Sequence, residues 1–267
     1  MVNLRNGNIH NKKVKKNTAY YVIWTIRLIS IIVILVCIGI LIYRHLNLKD
    51  AEKVIQSVNT DIVILDKNVN IDGNEATVVE ADISKLDVKN EDSVGYIKVN
   101  GTNIAYPVVQ SSDNDYYLRH SFDKSYSQAG WIFLDYRNNP VDFDKNTIIY
   151  GHNMLNQTMF STLTKMTNQN FFNNSNNHYI NFSTENKSTV WKIFSVYVTN
   201  PETYYLNTGF SNNEEYNNFL NTIKERSNIS FNENVNENDK ILTLSTCTNL
   251  NTKRLVVHAK LVYEEVK

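Results

Sequence analysis

An uninterrupted apolar segment near the N-terminus constrains this chain more than any other feature. Residues 19–43, AYYVIWTIRLISIIVILVCIGILIY, carry one charged side chain, Arg27, and a few small hydroxyls. About 20 residues at a rise of 1.5 Å cross the hydrocarbon core of a bilayer, and Arg27 lies near enough to the basic end for its charge to reach the headgroups. We therefore predict a transmembrane helix over residues 19–43.

The charges around this segment predict its orientation. Residues 1–18 contain five basic and no acidic side chains, and basic flanks stay on the cytoplasmic side. The rest of the chain carries 22 basic and 27 acidic residues, which gives no indication of a nucleic-acid ligand. We predict a cytoplasmic tail over 1–18 and an extracellular remainder. A cleaved signal peptide is the alternative, but it would have a shorter apolar region and a small-residue cleavage site, whereas Arg44, His45 and Leu46 follow here.

The region after the anchor divides into two parts. Residues 44–89 are predicted to form an extracytoplasmic linker with N-terminal helices, because NLKDAEKVIQSV has apolar residues at helical spacing and ADISKLDVKN suits one or two helical turns. From about residue 90 to 267 the pattern changes to short β-like runs separated by turn residues. These runs cover residues 94–99, 103–109, 130–136, 146–152, 178–183, 189–199, 239–247 and 254–263.

Seven or eight short strands with few helices between them predict a mostly β fold, either a barrel or a sandwich. One helix interrupts the late strands: Ser211 with Glu214 matches a capping box, and an apolar stripe at helical spacing follows. A second helical stretch is predicted over residues 159–166.

The cysteines restrict the chemistry of the exported part. Cys37 lies in the apolar segment and Cys247 outside it, so the exported domain cannot form an internal disulfide. A lone thiol of this kind is either a buried apolar filler or a free reactive group, and the count alone leaves both open.

The surroundings of Cys247 favour a reactive thiol. If residues 241–247 and 254–262 are neighbouring strands, Cys247 ends one strand where Arg254 begins the next. A nearby cation favours the thiolate, and a guanidinium can donate hydrogen bonds to an oxyanion. Cysteine catalysis also needs a proton shuttle. His152 is the candidate because it ends the strand NTIIYGH directly after Gly151, whereas His258 lies mid-strand and is predicted to be a structural histidine.

Three motifs in this order, IIYGHNM, LTLSTCT and RLVVHAKLV, follow a membrane anchor and resemble the sortases, specifically those of class B. The similarity extends upstream through GWIFLDYRN and covers most of residues 90–263. The resemblance implies a closed β-barrel of seven to eight strands, with N-terminal helices and an extra helix between late strands. It also implies a nucleophile at Cys247, an acid/base at His152 and an oxyanion-stabilising arginine at Arg254.

The resemblance further implies a membrane-bound cysteine transpeptidase of a Gram-positive cell envelope. It would cleave an NPxTN-like sorting motif after threonine in secreted proteins, and join them through a thioester to an amino group of peptidoglycan. Candidate substrate-binding residues are Asn114, Leu118, Tyr150, Tyr205, Leu206, Ser245 and Thr246. We expect no metal or other cofactor, because the acids form no calcium-loop pattern and no two histidines have zinc spacing. A peptidase that hydrolyses its acyl-enzyme and a non-catalytic anchored binding domain remain alternatives.

Overall fold

The computed structural model describes residues 18–71, 73–248 and 252–267 of this chain. Apart from its last residue, the predicted basic tail lies outside the described residues. Within these ranges the α-helices are α1 Thr18–Asn59, α2 Ser84–Asp87 and α3 Asn213–Glu225. The strands are β1 Val63–Ile71, β2 Asn74–Asp82, β3 Ser93–Val99, β4 Ala105–Val109, β5 Phe133–Leu134, β6 Asn146–Tyr150, β7 Tyr179–Ser183, β8 Lys187–Thr199, β9 Ile241–Thr248 and β10 Lys253–Val266.

Eight of these strands form a closed barrel in the order β10-β8-β7-β3-β4-β5-β6-β9. Neighbouring strands are antiparallel except for the β4–β5 and β6–β9 pairs, which are parallel. Closure leaves none of the eight strands as an edge. The mostly β closed barrel predicted from the sequence is confirmed, and each of the eight predicted runs contains or overlaps one barrel strand.

Alternation along the strands separates the barrel interior from its outer face. On β9 and β10, Leu244 and Val257 belong to the main core, whereas Ile241 packs in a second cluster with residues of α3. Because successive side chains of a strand point to opposite faces, every second residue from Ile241 along β9 lies on the outer face. That face of β9 ends at Cys247.

Helix α1 contains the predicted anchor. It is long and apolar enough to cross a membrane by length and composition, and its most apolar stretch is exposed, which is consistent with membrane anchoring. The chain divides into two compact units at Leu46 and Asn47. In the second unit, Ala51 and Val58 of α1 are buried in the main core. The predicted helical pattern over 47–58 is confirmed, but these residues continue α1 and do not form a separate helix. The predicted helical turn in ADISKLDVKN is also present, as α2.

The β1–β2 hairpin is not predicted by the hydrophobic pattern. Its strands pair antiparallel from Val63 with Asp82 to Ile71 with Asn74. Most β1 residues are exposed, so they give no alternating apolar signal. The Asp-Gly dipeptide at 72–73, a common hairpin turn sequence, is the signal that could have located it; Gly73 has a φ of 82°.

Two predicted helix details differ from the structure. The cap of α3 is Asn212, whose Oδ1 accepts from the Glu215 amide at 2.9 Å, and the Glu215 carboxylate accepts from the Ser211 amide at 2.8 Å. The capping pair thus lies one residue later than Ser211 and Glu214, because Asn212 has the extended backbone that a cap needs. The stretch predicted over 159–166 is a 3₁₀-helix, Ser161–Thr167.

Candidate active site

The β9–β10 ladder brings a thiol and a guanidinium together. Cys247 is the direct antiparallel partner of Arg254. Side chains of directly opposed residues lie on one face of the sheet, with Cβ atoms about 4.5–5.5 Å apart. Both residues are half-buried, and both line the same cavity. The sulfur and the guanidinium therefore share one edge of the barrel.

The parallel β6–β9 ladder brings His152 to the same edge. Tyr150 pairs with Ser245. His152 lies two residues beyond Tyr150, and Cys247 lies two residues beyond Ser245, so both residues leave the ladder at the same end. The Gly151 amide extends this contact by donating to the Ser245 carbonyl at 3.3 Å. Gly151 is also packed closely against two buried side chains, because a Cβ at this position would clash with Ile132 Cδ1 and would lie 2.7 Å from Phe160 Cγ.

A backbone carbonyl fixes the role of each ring nitrogen of His152. Nε2 lies 2.8 Å from the carbonyl oxygen of Leu118, the last residue of the 3₁₀ turn Tyr116–Leu118. A carbonyl only accepts, so Nε2 must carry the proton and donate it. Nδ1 is therefore the nitrogen that can take up or release a proton.

All ten residues predicted from the sequence line one cavity of about 300 Å³. Two further lining residues, Phe133 and Gly151, are not among the predicted site residues. The complete lining is Asn114, Leu118, Phe133, Tyr150, Gly151, His152, Tyr205, Leu206, Ser245, Thr246, Cys247 and Arg254.

A buried carboxylate beneath the cavity organises several of these residues. Asp135 accepts from Arg137 Nε at 2.8 Å, from Asn114 Nδ2 at 3.0 Å and from the Tyr150 hydroxyl at 2.8 Å. Burial opposes its charge, but the hydrogen bonds from Arg137 and Tyr150 outweigh burial and hold the pKa of Asp135 below its usual value. Arg137 Nη2 also donates to the Leu206 carbonyl at 2.9 Å. The sequence GWIFLDYRN contains both Asp135 and Arg137, but periodicity gives no reason to single them out.

The remaining predicted binding residues differ in whether their hydroxyl groups make hydrogen bonds. The Tyr205 hydroxyl lies 3.3 Å from Ser245 Oγ, and burial raises the pKa of Tyr205 despite that hydrogen bond and the nearby charge of Arg254. Thr246 lies between two outward-facing residues of β9, and its buried hydroxyl has no hydrogen-bond partner among the described residues. Thr246 therefore forms part of the cavity wall, but its hydroxyl is on the opposite face of β9 from the hydroxyl of Ser245.

A second, more open groove of about 660 Å³ lies between α3 and residues 203–210 and shares Leu206 with the first cavity. Its described lining includes neither a thiol nor an imidazole. Because the thiol, imidazole and guanidinium meet in the smaller cavity, that cavity is the candidate active site.

The chain matches known proteins over the barrel. The sortase domain family matches residues 97–262. Sortase B of Listeria monocytogenes is 40% identical over 186 residues, which cover 68% of this chain and 73% of that protein. The chain belongs to the sortase B family. It is therefore a cysteine transpeptidase, and proteins that bear a sorting signal are the general kind of partner.

Solved sortase B structures agree with this fold. The Staphylococcus aureus sortase B–substrate complex superposes with a TM-score of 0.63 at 36% identity, covering 67% of this chain and 84% of that one. Sortase B from B. anthracis gives a TM-score of 0.69 at 35% identity, covering 82% of this chain and 99% of that one. The closed barrel with an N-terminal helix and a late helix is thus the sortase B architecture.

Proposed function

We propose that Cys247, His152 and Arg254 act together on one amide bond, the bond that follows threonine in an NPxTN-like sorting motif of a secreted protein. The observation that supports this proposal is the meeting of three strand ends at one edge of the barrel. Cys247 and Arg254 are opposed on the β9–β10 ladder, and β6 runs parallel to β9 toward His152. All three side chains line one cavity.

Acylation begins with a bond from the Cys247 sulfur to the threonine carbonyl carbon. The carbonyl oxygen becomes an oxyanion, to which the Arg254 guanidinium donates hydrogen bonds. As the carbon–nitrogen bond breaks, Nδ1 of protonated His152 gives its proton to the departing amine. The product is a thioester between the client protein and Cys247, with His152 neutral.

Transfer reverses the proton movement. An amino group of a cell-wall peptide attacks the thioester carbon, and Nδ1 of His152 accepts a proton from that amine. The carbon–sulfur bond then breaks, which restores the Cys247 thiolate and forms a new amide. Water would give hydrolysis instead, so the outcome depends on whether the cavity admits the amine in preference to water.

The cavity offers a small set of polar groups and apolar walls to the motif. The Asn114 side chain is oriented by two bonds: its Oδ1 accepts from the Tyr136 amide at 3.0 Å, and one N–H donates to Asp135. We assign the other Asn114 N–H to the substrate. Leu118 and Leu206 provide apolar surface. The hydroxyls of Tyr150, Tyr205 and Ser245, together with Thr246 in the cavity wall, complete the proposed binding set.

Helix α1 gives the proposed location. With the basic N-terminus cytoplasmic, the helix would cross the membrane once over residues 19–43. Residues 44–89 would then form the extracytoplasmic linker region, and residues 90–267 the catalytic barrel at the outer surface. Secreted clients and cell-wall peptides are both present on that side.

The test uses the full-length protein in detergent and a library of sorting pentapeptides, each assayed with and without an amino-terminated peptide. An NPxTN-like peptide should be cleaved after threonine, and a ligated product should appear only when the amine is present. If cleavage occurs but no amine is ever ligated, the protein hydrolyses its acyl-enzyme. If no peptide is cleaved, the proposed substrate class is wrong.

A further inference from the structure

A chain of buried and part-buried hydrogen bonds begins and ends on the same stretch of the cavity wall. We call residues 203–207 the wall segment. It contains the 3₁₀ turn Tyr204–Leu206, and its Tyr205 and Leu206 line the candidate active site. The backbone contacts of the wall segment and the hydroxyl of Tyr204 lead to one buried histidine, His258.

The first half of this chain holds the backbone of the wall segment. Asn146 Nδ2 donates to the Tyr205 carbonyl at 3.0 Å and to the Asn207 carbonyl at 2.8 Å. Because carbonyls only accept, both N–H bonds of the amide are used there. The Oδ1 atom of Asn146 accepts from the Thr243 hydroxyl at 2.6 Å.

The second half runs through His258. The single hydroxyl proton of Thr243 is donated to Asn146, so Thr243 accepts from His258 Nδ1 at 2.8 Å. His258 Nε2 then accepts from the Tyr197 hydroxyl at 2.9 Å. The Tyr204 hydroxyl donates to Tyr197 at 2.7 Å, which returns the chain to the wall segment.

The directions of these bonds are consistent with one state of the imidazole. His258 is fully buried, and burial lowers the pKa of His258 to about 3. The ring is therefore neutral with its proton on Nδ1, and each hydrogen bond from Tyr204 to Asn146 has one donor and one acceptor. A ring with the proton on Nε2 instead would leave Nδ1 and the Thr243 oxygen facing each other without a hydrogen between them.

The hydrogen-bond network of His258 lies on the same strand ladder as the proposed reactive pair, Cys247 and Arg254. His258 is the cross-strand partner of Thr243 on the same ladder in which Arg254 opposes Cys247. Each pair is separated from the other by four residues along both strands, so all four side chains lie on the outer face. The ladder that fixes the sulfur and guanidinium thus also fixes the position of the wall segment.

We propose that His258 is a positioning residue that holds the wall segment against the β9–β10 ladder, so that Tyr205 and Leu206 face a bound sorting peptide. It acts through Thr243 and Asn146 on one side and through Tyr197 and Tyr204 on the other. It does not contact the reacting atoms. The part of this inference that concerns peptide binding rests on the proposed function.

Tyr204→Phe tests the chain at its outermost hydroxyl. The ring should stay in place, because Arg226 stacks on it at 3.9 Å and pairs with Glu202 at 2.8 Å. The matched control is Tyr263→Phe. Tyr263 lies on the same strand as His258, and its hydroxyl donates to Glu265 at 3.0 Å. Tyr263 lies outside the lining of the cavity.

Two measurements on the full-length protein in detergent decide the result. Amide exchange over residues 203–207, where the Leu206 amide donates to Thr203 at 3.0 Å, should be faster in Tyr204→Phe than in the wild type and unchanged in the control. With the best sorting pentapeptide, KM should rise about three- to tenfold, as expected for one lost hydrogen bond, with kcat and the rate of Cys247 alkylation by iodoacetamide unchanged.

Two variants at His258 sharpen the test. His258→Asn keeps an N–H near the position of Nδ1 but loses the acceptor for Tyr197, whereas His258→Phe loses both contacts. Exchange of the wall segment and KM should therefore increase in the order wild type, His258→Asn, His258→Phe.

The outcomes separate the inference from the proposed function. If Tyr204→Phe leaves exchange of the wall segment unchanged, or accelerates exchange equally throughout the barrel, the positioning role of His258 is wrong. If the wild type cleaves no pentapeptide, the proposed function fails while the exchange experiment still decides whether His258 holds the wall segment. If KM of Tyr204→Phe rises no more than KM of Tyr263→Phe, the wall segment has no role in peptide binding.

Discussion

The outer face of the β9–β10 ladder carries two cross-strand pairs that behave differently. Cys247 and Arg254, at the open end, are half-buried and line the cavity. Thr243 and His258, four residues farther along each strand, are fully buried. Both ring nitrogens of His258 are hydrogen-bonded to side chains. The same ladder thus carries the pair that we propose to react at its edge and a fully hydrogen-bonded pair in its interior.

The difference shows that depth along the ladder decides whether a polar side chain can reach the cavity or must be satisfied by partners inside the protein. Buried polar groups need partners for their hydrogen-bonding atoms, and a histidine with both nitrogens engaged has no site left for proton exchange. His152, at the edge, engages only Nε2 with a carbonyl among its described hydrogen bonds. The chemistry is therefore expected at the edge, and a series of variants can test this division.

The largest effect is expected at the edge sulfur. Cys247→Ala removes the proposed nucleophile and should lower the rate of peptide cleavage by about 10³-fold or more, because the covalent step is lost. The matched control is Cys37→Ala in helix α1, which should cleave at the wild-type rate. Cleavage is followed by chromatography of the peptide products. Equal activity of the two variants would remove Cys247 from the mechanism.

The next largest effect is expected at its cross-strand partner. Arg254→Lys keeps the positive charge but loses the planar set of N–H donors that can hold an oxyanion and the substrate together. We expect kcat/KM to fall by about 10²-fold, a typical effect of weakening an oxyanion contact. Lys253→Arg, the reverse exchange at the neighbouring residue, is the control. Wild-type kinetics for Arg254→Lys would mean that a positive charge alone is enough to stabilise the oxyanion.

The position of His152 can be changed without altering the histidine. In Gly151→Ala the new Cβ would meet Ile132 Cδ1 at 2.4 Å and Phe160 Cγ at 2.7 Å, whereas a Cβ at Gly209 would meet nothing within 4 Å. Shifting the end of β6 should lower kcat by about tenfold to 10²-fold, since small misplacements of catalytic groups are costly. Steady-state kinetics should show no such loss for Gly209→Ala. Similar kinetics in both variants would indicate that this edge tolerates displacement.

The two regions also differ in how well the sequence predicts them. The eight barrel strands are predictable because their residues are buried and rich in β-branched and aromatic side chains. The edge residues Cys247, Arg254 and His152 are predictable because each stands at the end of such a run. The β1–β2 hairpin is not, because its exposed residues carry little apolar periodicity.

The interior network is only partly predictable. The mid-strand position of His258 indicates a structural histidine, and the structure confirms that it is buried and bonded. Its partners Asn146, Thr243, Tyr197 and Tyr204 cannot be identified from the sequence, because they are brought together by strand register and by a connection between β8 and α3. Asp135 is missed for the same reason, since its partners Asn114 and Tyr150 come from separate segments.

The last effect is expected in the pH dependence of stability, and it belongs to the interior pair. The pKa of His258 is lowered from 6.5 to about 3, so the unfolded chain binds a proton below pH 6.5 that the folded protein does not. The neutral His258 therefore contributes fully to the stability of the folded protein above pH 6.5, and this contribution is lost as the pH falls toward 3. Between pH 7 and pH 5 this amounts to about 2 kcal/mol.

Urea unfolding of the wild type and His258→Asn at pH 7, 6 and 5 measures this contribution. The variant should be less stable at pH 7 but should lose about 2 kcal/mol less on acidification, because it has no imidazole to protonate in the unfolded state. Tyr204→Phe retains the imidazole and should keep the wild-type slope. A wild-type slope in His258→Asn would mean that His258 can be protonated in the folded barrel, and the distinction between a reactive edge and a saturated interior would then fail at its central residue.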